Sequence, residues 1–268
     1  MGRALRVVTW NVAGRLSRLD EQADRVLRHD ADVVCLQEVV PNALERWTSR
    51  LERAGHTVLA SPVAPDAPRV HRLGVLVAGR HEPTLVQAPA VPWPERLLCA
   101  ELEPPGWSRA LHVVCLHAPL SGRPEQVKVR TLEAVHAHLA SLAGAPALLC
   151  GDLNTPQYES REGLVQTFAQ TRGGRLRPAY GERHDAAERT ILAGPPGWRD
   201  AFRTLHGFEA RDRSWRIGRH PGYRLDHVLI SGALDAVACA YDHGVREDGL
   251  SDHSAMCATI ELTRRGAG

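Results

Sequence analysis

Short apolar runs recur along the chain, and most are too short and too β-branched for helices. The run "LRVVTWNV" opens the series and reads as a strand. The stretch "RLDEQADRVLRHD" then spaces Leu and Val at helical intervals with charges between, and "DVVCLQEV" reads as a second buried strand. "NALERWTSRLERAG" predicts a helix ended by Gly55, followed by a strand in "RLGVLVAG". The proline-rich "PTLVQAPAVPWPERLLCAELEPPGW" still holds apolar runs, so short edge strands and turns are expected there. "ALHVVCLHAPL" predicts a strand. "RPEQVKVRTLEAVHAHLASLAG" predicts an amphipathic helix with Pro124 suited to its start and Gly144 to its end. "APALLCGDLN" is the next strand, residues 156–224 are the least regular part with one helix in "GWRDAFRTLHG", and "RLDHVLIS" and "HSAMCATIEL" close the series. No internal repeat, low-complexity tract or domain boundary stands out. One α/β domain over residues 1–268 is expected.

The polar residues that bound these runs are not scattered. Asn11, Glu38, His117 and Asp152 each follow an apolar run, whereas Asp226, and Asp252 with His253, each precede one. If these groups meet, the late strands run opposite to the early ones. That disfavours a purely parallel sheet and predicts a mixed sheet, or two packed sheets, with a polar cluster along one edge.

Composition narrows the setting. The 268 residues are 43% hydrophobic, enough for a sizeable core, and the net charge is only +2. That balance does not suit a chain that coats nucleic acid over a wide face, although it allows local phosphate binding. No apolar run approaches the ~18 residues of a membrane span, and "MGRALRVVTW" lacks the apolar core of a signal peptide. Gly2 lacks the downstream Ser or Thr of a myristoylation signal. A soluble, cytoplasmic monomer is therefore expected. The six cysteines form no C-x-x-C pair and sit among apolar or small neighbours, which predicts buried free thiols rather than disulfides or a zinc site.

Glu38, Asp152 and Asp252 would bring three carboxylates together, which repel unless protons or a cation intervene. Asn11 and Asn154 add neutral oxygens. Hard oxygen donors without thiolates suit Mg²⁺ or Mn²⁺. His117 and His253 bring imidazoles that can donate to phosphate oxygens or move protons near neutral pH. A cation beside imidazoles suits phosphate-ester hydrolysis. Taken singly, each piece has a plainer explanation. Asn11 and "GDLN" suit turns, Glu38 suits a helix start, "SDH" suits an N-cap with a surface histidine, and His117 suits a satisfied core position. Their order at the ends of buried strands carries the inference.

The segments "TWNVAG", "LQEV", "LHAP", "GDLNTP", "RLDHVLIS" and "LSDHSAM", within residues 9–256, resemble the endonuclease/exonuclease/phosphatase superfamily in the family's order. The resemblance implies a four-layer α/β/β/α sandwich with two packed mixed β-sheets. It also implies roles: Glu38 as principal metal ligand with Asn11 and Asp252 near the same ion, and Asp152 orienting or deprotonating the attacking water. Asn154 would bind phosphate or nucleophile, and His253 would be the catalytic histidine oriented by Asp226. His117 stands where abasic-site endonucleases carry a tyrosine. Both side chains donate to a phosphate oxygen, so hydrolysis is expected and abasic-site specificity is not.

The stretch "GWRDAFRTLHGFEARDRSWRIGRHPGYRLDHVLIS" is similar to the exonuclease-III branch. Its Arg199, Arg203, Arg213, Arg216, Arg219 and Arg224, interleaved with Trp198, Trp215 and Tyr223, suit a grip on a phosphate backbone with base stacking. Arg216, Arg224 and Trp215 are the substrate-binding candidates, and DNA is the expected partner. A small phosphoester, nucleotide or lipid headgroup is the alternative substrate. A catalytically dead binding module is the third reading, against which the intact polar set argues.

Overall fold

The computed structural model describes residues 4–64, 66–122 and 124–263; Gly2, weighed above for a lipid signal, lies outside them. Strands β1 (Leu5–Asn11), β2 (Val33–Val39), β3 (Thr57–Ala60) and β4 (Gly74–Gly79) begin a first sheet. Strands β5 (Thr84–Leu85), β6 (Leu97–Leu102), β7 (Leu111–His117) and β8 (Ala147–Asp152) begin a second. A small ribbon follows, β9 (Tyr158–Glu159) with β10 (Val165–Gln166). Then β11 (Arg199–Asp200) and β12 (Asp226–Ile230) extend the second sheet, and β13 (Leu234–Asp242) and β14 (Ala255–Leu262) return to the first. The orders are β13-β14-β1-β2-β4-β3 and β11-β12-β8-β7-β6-β5. Both sheets are mixed: β1–β2 and β7–β8 are parallel, while β14 and β12 run antiparallel to β1 and β8. The late strands are thus reversed, as the placement of their polar residues requires.

Strand alternation builds three apolar layers. Inward-facing Val7, Cys35, Val77, Val113, Cys115, Cys150, Val228 and Met256 fill the space between the sheets. Helices α1 (Leu19–Arg28) and α2 (Pro41–Arg53) bury Leu19, Val26, Trp47 and Leu51 against Trp10, Leu36 and Leu76 on the outside of the first sheet. Helices α3 (Val127–Ser141) and α4 (Gly181–Ala193) set Leu132, Val135, Leu139 and Ile191 against Leu116, Leu149 and Leu229 outside the second. The result is the four-layer α/β/β/α sandwich. All six cysteines are free thiols, five of them buried, and no helix among the described residues is long and apolar enough to cross a membrane.

Two elements differ from expectation. Helix α4 lies within the stretch expected to be irregular. It hides from hydrophobic periodicity because its buried positions include His184 and Glu188. The helix expected across "GWRDAFRTLHG" is only α5 (Ala201–His206), because Arg199 and Asp200 pair with Ile230 and Leu229 as strand β11. Asp200 then caps the helix, its Oδ1 accepting from the Arg203 amide at 3.0 Å. One short helix remains, α6 (Gly244–Glu247).

Candidate active site

Inward-facing rows of both sheets become polar at the same end of the sandwich. The apolar row of β1 ends in Asn11, that of β7 in His117 and that of β8 in Asp152; β12 starts with Asp226, paired directly with Asp152. His253 and Asp252 stand just before β14. A cavity of about 330 Å³ opens there, and Glu38, His117, Asp152, Asn154, Asp252, His253 and Trp215 all line it.

Glu38 reaches this edge through a break in β2. The pairing with β4 shifts between Gln37 and Val39, and Glu38 adopts φ 60°. Val34, Leu36 and Val39 all pack toward the helices, so Glu38 is the extra residue of a bulge. The left-handed backbone costs a non-glycine residue ~1–2 kcal/mol. In return the carboxylate leaves the strand's alternation, and its side chain is 25% exposed at the cavity.

Asn11 joins the sheets. Its Nδ2 donates to Glu38 Oε1 at 3.1 Å and to Asp152 Oδ2 at 3.0 Å, while its Oδ1 accepts from the Ala13 amide at 3.0 Å. Asp152 Oδ1 accepts from the Asn154 amide at 2.9 Å, and Asn154 Nδ2 donates to the Ala118 carbonyl at 2.7 Å. His117 Nε2 lies 3.6 Å from Glu38 Oε1 and 3.8 Å from Asp152 Oδ2. His253 Nε2 approaches that same Asp152 oxygen to 3.8 Å, and its Nδ1 donates to Asp226 Oδ2 at 2.8 Å.

Electrostatics differentiate these groups. Burial, with Asp226 alongside, pushes the Asp152 carboxyl up to about 7 against the opposing pull of His253. Burial alone would lower His253, but Asp226 and Asp152 outweigh it and raise the imidazole to about 10. Burial and the neighbouring cations Arg96 and His253 hold His117 well below its ordinary value. One imidazole is therefore cationic near neutral pH and the other neutral.

The donor set fits a hard divalent cation. Glu38, Asp152 and Asp252 line the cavity beside Arg96 and His253, and Oδ1 of Asp226, the partner of His253, is buried with no hydrogen-bond partner. Two groupings could hold an ion. Asp152, Asp226 and His253 offer ligand atoms within 4.8 Å of one another. Glu38 and Asp252 offer carboxylate oxygens at the cavity, beside the buried Asn11 amide that donates to Glu38. The first is already partly satisfied, because His253 donates to Asp226.

The substrate-binding candidates divide. Trp215 lines the cavity, stacks on Tyr223 with ring centroids 5.4 Å apart and 7° between planes, and donates from Nε1 to Asp252 Oδ2 at 2.9 Å. Arg216 is exposed, its amide donating to the Asp252 carbonyl at 3.0 Å. Arg224 is a correction. It is only 3% exposed, pairs in bidentate fashion with Glu159 at 2.8 and 2.9 Å, and lies 2.8 Å from Asp200, so it cannot reach a substrate. Arg203 shares Glu159, Arg199 pairs with Asp235, and Trp198 is a core residue. Those members of the arginine–aromatic stretch build the fold behind the site.

Sequence reading missed Arg96 and Phe168. Arg96 is buried in the cavity wall, its Nη1 3.3 Å from both ring nitrogens of His117 and its guanidinium 4.7 Å from the centre of the Trp93 ring. It directly precedes the apolar run of β6, so the rule that picked out Asp226 applies to it equally. Phe168 meets Tyr223 edge-on at 5.1 Å and has no such signal, since it sits in a loop without periodicity.

Two mixed sheets converge carboxylates and imidazoles on one cavity, a donor set suited to metal-assisted phosphoester hydrolysis. The sequence matches the Endonuclease/Exonuclease/phosphatase family over residues 8–253, and the chain belongs to that family. No curated protein matches the sequence. Among solved structures, an AP endonuclease from Archaeoglobus fulgidus superposes with TM-score 0.74 at 22% identity, over 96% of this chain and 100% of that one. D. rerio TDP2 complexed with a single-strand DNA product gives 0.68 at 17%, over 97% and 99%. ANGEL2, a 2',3'-cyclic phosphatase, gives 0.70 at 17%, over 97% and 95%. These likenesses establish the shared fold. The metal dependence and the phosphoester chemistry are properties of the family.

Proposed function

We propose that the protein is a Mg²⁺- or Mn²⁺-dependent nuclease that hydrolyses phosphodiester bonds of DNA by in-line attack of water. The observation that carries this reading is the convergence on one Asp152 oxygen of Asn11 at 3.0 Å and of His117 and His253, each at 3.8 Å. Glu38, with Asn11 and Asp252, would hold the cation, which when bound neutralises phosphate charge as a Lewis acid. Asp152, anchored by the Asn154 amide, holds a water and accepts its proton. Cationic His253, oriented by Asp226, donates to a phosphate oxygen as charge develops, and neutral His117 donates a further hydrogen bond. Arg96 beside His117 adds fixed positive charge. Positioning and charge neutralisation supply most of the rate. The stacked Trp215 and Tyr223 favour a nucleotide in the cavity, because any base offers a face to an aromatic ring.

A small phosphoester is the second reading, favoured by the cavity's modest volume and by the withdrawal of Arg224 from its surface. One panel separates them: plasmid DNA, an abasic-site duplex, a single-stranded oligonucleotide, a bis-aryl phosphodiester and phosphomonoesters, each with Mg²⁺, Mn²⁺ or EDTA. Metal-dependent DNA cleavage, lost by at least ~100-fold in Glu38→Ala and Asp152→Ala, is the expected result. Turnover of small esters with DNA untouched would establish the second reading instead. Near-wild-type turnover in either folded variant would sink the assignment of roles.

A further inference from the structure

We infer that Lys128 and Glu188 are positioning residues for the hydrolysis, holding the Asp152–Asn154 turn and the Phe168 wall of the cavity in one register. The inference rests on the reading of Asp152 and Asn154 as the pair that holds water. Lys128 is 1% exposed on α3, and its ammonium meets Glu188 of α4 and the loop that follows β8. Its Nζ donates to the Asn154 carbonyl at 2.7 Å, to Glu188 Oε1 at 2.6 Å and to Ser121 Oγ at 3.0 Å. All three ammonium protons are thereby used, so Lys128 has none left for a substrate.

Asn154 has φ 50°, in the left-handed region that asparagine tolerates better than most other non-glycine residues. Lys128 holds this turn from the interior side through the Asn154 carbonyl, while the amide of the same residue binds Asp152 Oδ1. Glu188 completes the clamp. Its Oε1 takes Lys128, Ser121 at 2.9 Å and His184 at 3.0 Å. Its Oε2 takes the Thr155 hydroxyl and the Phe168 amide, both at 2.8 Å. One carboxylate thus ties residue 154 through Lys128, residue 155 directly, and the cavity wall through the backbone of residue 168.

Stability alone gives little reason for this pair, since a buried ion pair is often matched or bettered by apolar side chains of similar size. Geometry gives a reason, because an apolar pair would leave the Asn154 carbonyl and the Phe168 amide without anchors.

The test uses the full chain and a bis-aryl phosphodiester with Mn²⁺. Thr155→Val removes one tie with little change in volume. The double variant Lys128→Met with Glu188→Gln removes both buried charges together, so neither is left unpaired. Expected is a kcat at least ~5-fold lower in the first and ~10-fold lower in the second, with KM close to wild type and melting still cooperative. Wild-type kcat in both variants would overturn the inference, as would kcat that simply follows melting temperature. If the double variant does not fold, Thr155→Val decides by itself. Asp152→Asn is the control: if it stays active, the reading of the turn has failed, whereas an inactive Asp152→Asn beside fully active clamp variants removes this inference alone.

Discussion

Asp226 stands directly across from Asp152 in the antiparallel pairing of β12 with β8, and His253 lies between them, 2.8 Å from an oxygen of the first and 3.8 Å from one of the second. Two buried carboxylates so placed would repel, and the shared imidazolium is what makes the arrangement tolerable. Asp226→Asn keeps the shape of that contact and removes its charge. A folded variant with kcat lowered by at least ~100-fold is expected, as when the carboxylate behind a catalytic histidine is neutralised. Steady-state turnover of a bis-aryl phosphodiester, beside circular dichroism for the fold, checks it. Undiminished kcat would show that Asp226 does not orient His253.

Arg224 and Arg216 should respond oppositely. Arg224→Met leaves Glu159 and Asp200 without the partner they share and should cost ~3–5 kcal/mol of stability. Arg216→Ala should leave melting unchanged and raise KM for a single-stranded oligonucleotide, with the difference shrinking as salt is added. Thermal melts and oligonucleotide kinetics at two ionic strengths distinguish them. A fully stable Arg224→Met protein would contradict its structural role.

Much of this division was legible in the chain, and part of it was not. Asn11, Glu38, His117, Asp152, Asp226 and His253 could be read because they end or begin apolar runs, and burial of such runs forces their polar ends to a common edge. The reversed direction of the late strands followed from the same residues. Arg224 could not be read, because nothing in "GYRLDH" reveals that Glu159 and Asp200 lie behind it. Helix α4 was missed because Glu188 and His184 occupy positions where periodicity calls for apolar side chains. The bulge at Glu38 has no sequence mark at all, since φ 60° there is imposed by pairing with β4.

Acid should weaken the fold through two of these buried carboxylates. Burial raises Glu159 and Glu188, but Arg224 and Arg203 for the one, and Lys128 and His184 for the other, outweigh it and hold both at about 2 against the ordinary 4.5. A carboxylate whose pKa falls on folding stabilises the fold above its unfolded value and loses that contribution as pH drops toward the folded one. Melting temperature should therefore fall as pH is lowered from about 4.5 toward 2, and fall less steeply in Glu188→Gln. Calorimetry across that range checks the sign. A melting temperature independent of pH would contradict both ion networks.

Gly151 should tolerate no side chain. It has φ 136°, and a Cβ there would lie 2.0 Å from the Leu116 carbonyl oxygen on the adjoining strand β7. Gly151→Ala must push β7 and β8 apart at the point where His117 and Asp152 are paired, and a loss above ~3 kcal/mol is expected. Denaturant titration measures it. A variant as stable as wild type would mean that the strands are not in this contact.

The return of the last two strands to the first sheet also means that the cavity is assembled from both ends of the chain. A growing chain that has emerged through β8 already holds Asn11, Glu38, His117 and Asp152, but not Asp226, and His253 follows only with β14, which seats beside β1. Until that late strand docks, Asp152 and Asp226 lack the imidazole that lies between them, so the same segment closes the first sheet and completes the cluster.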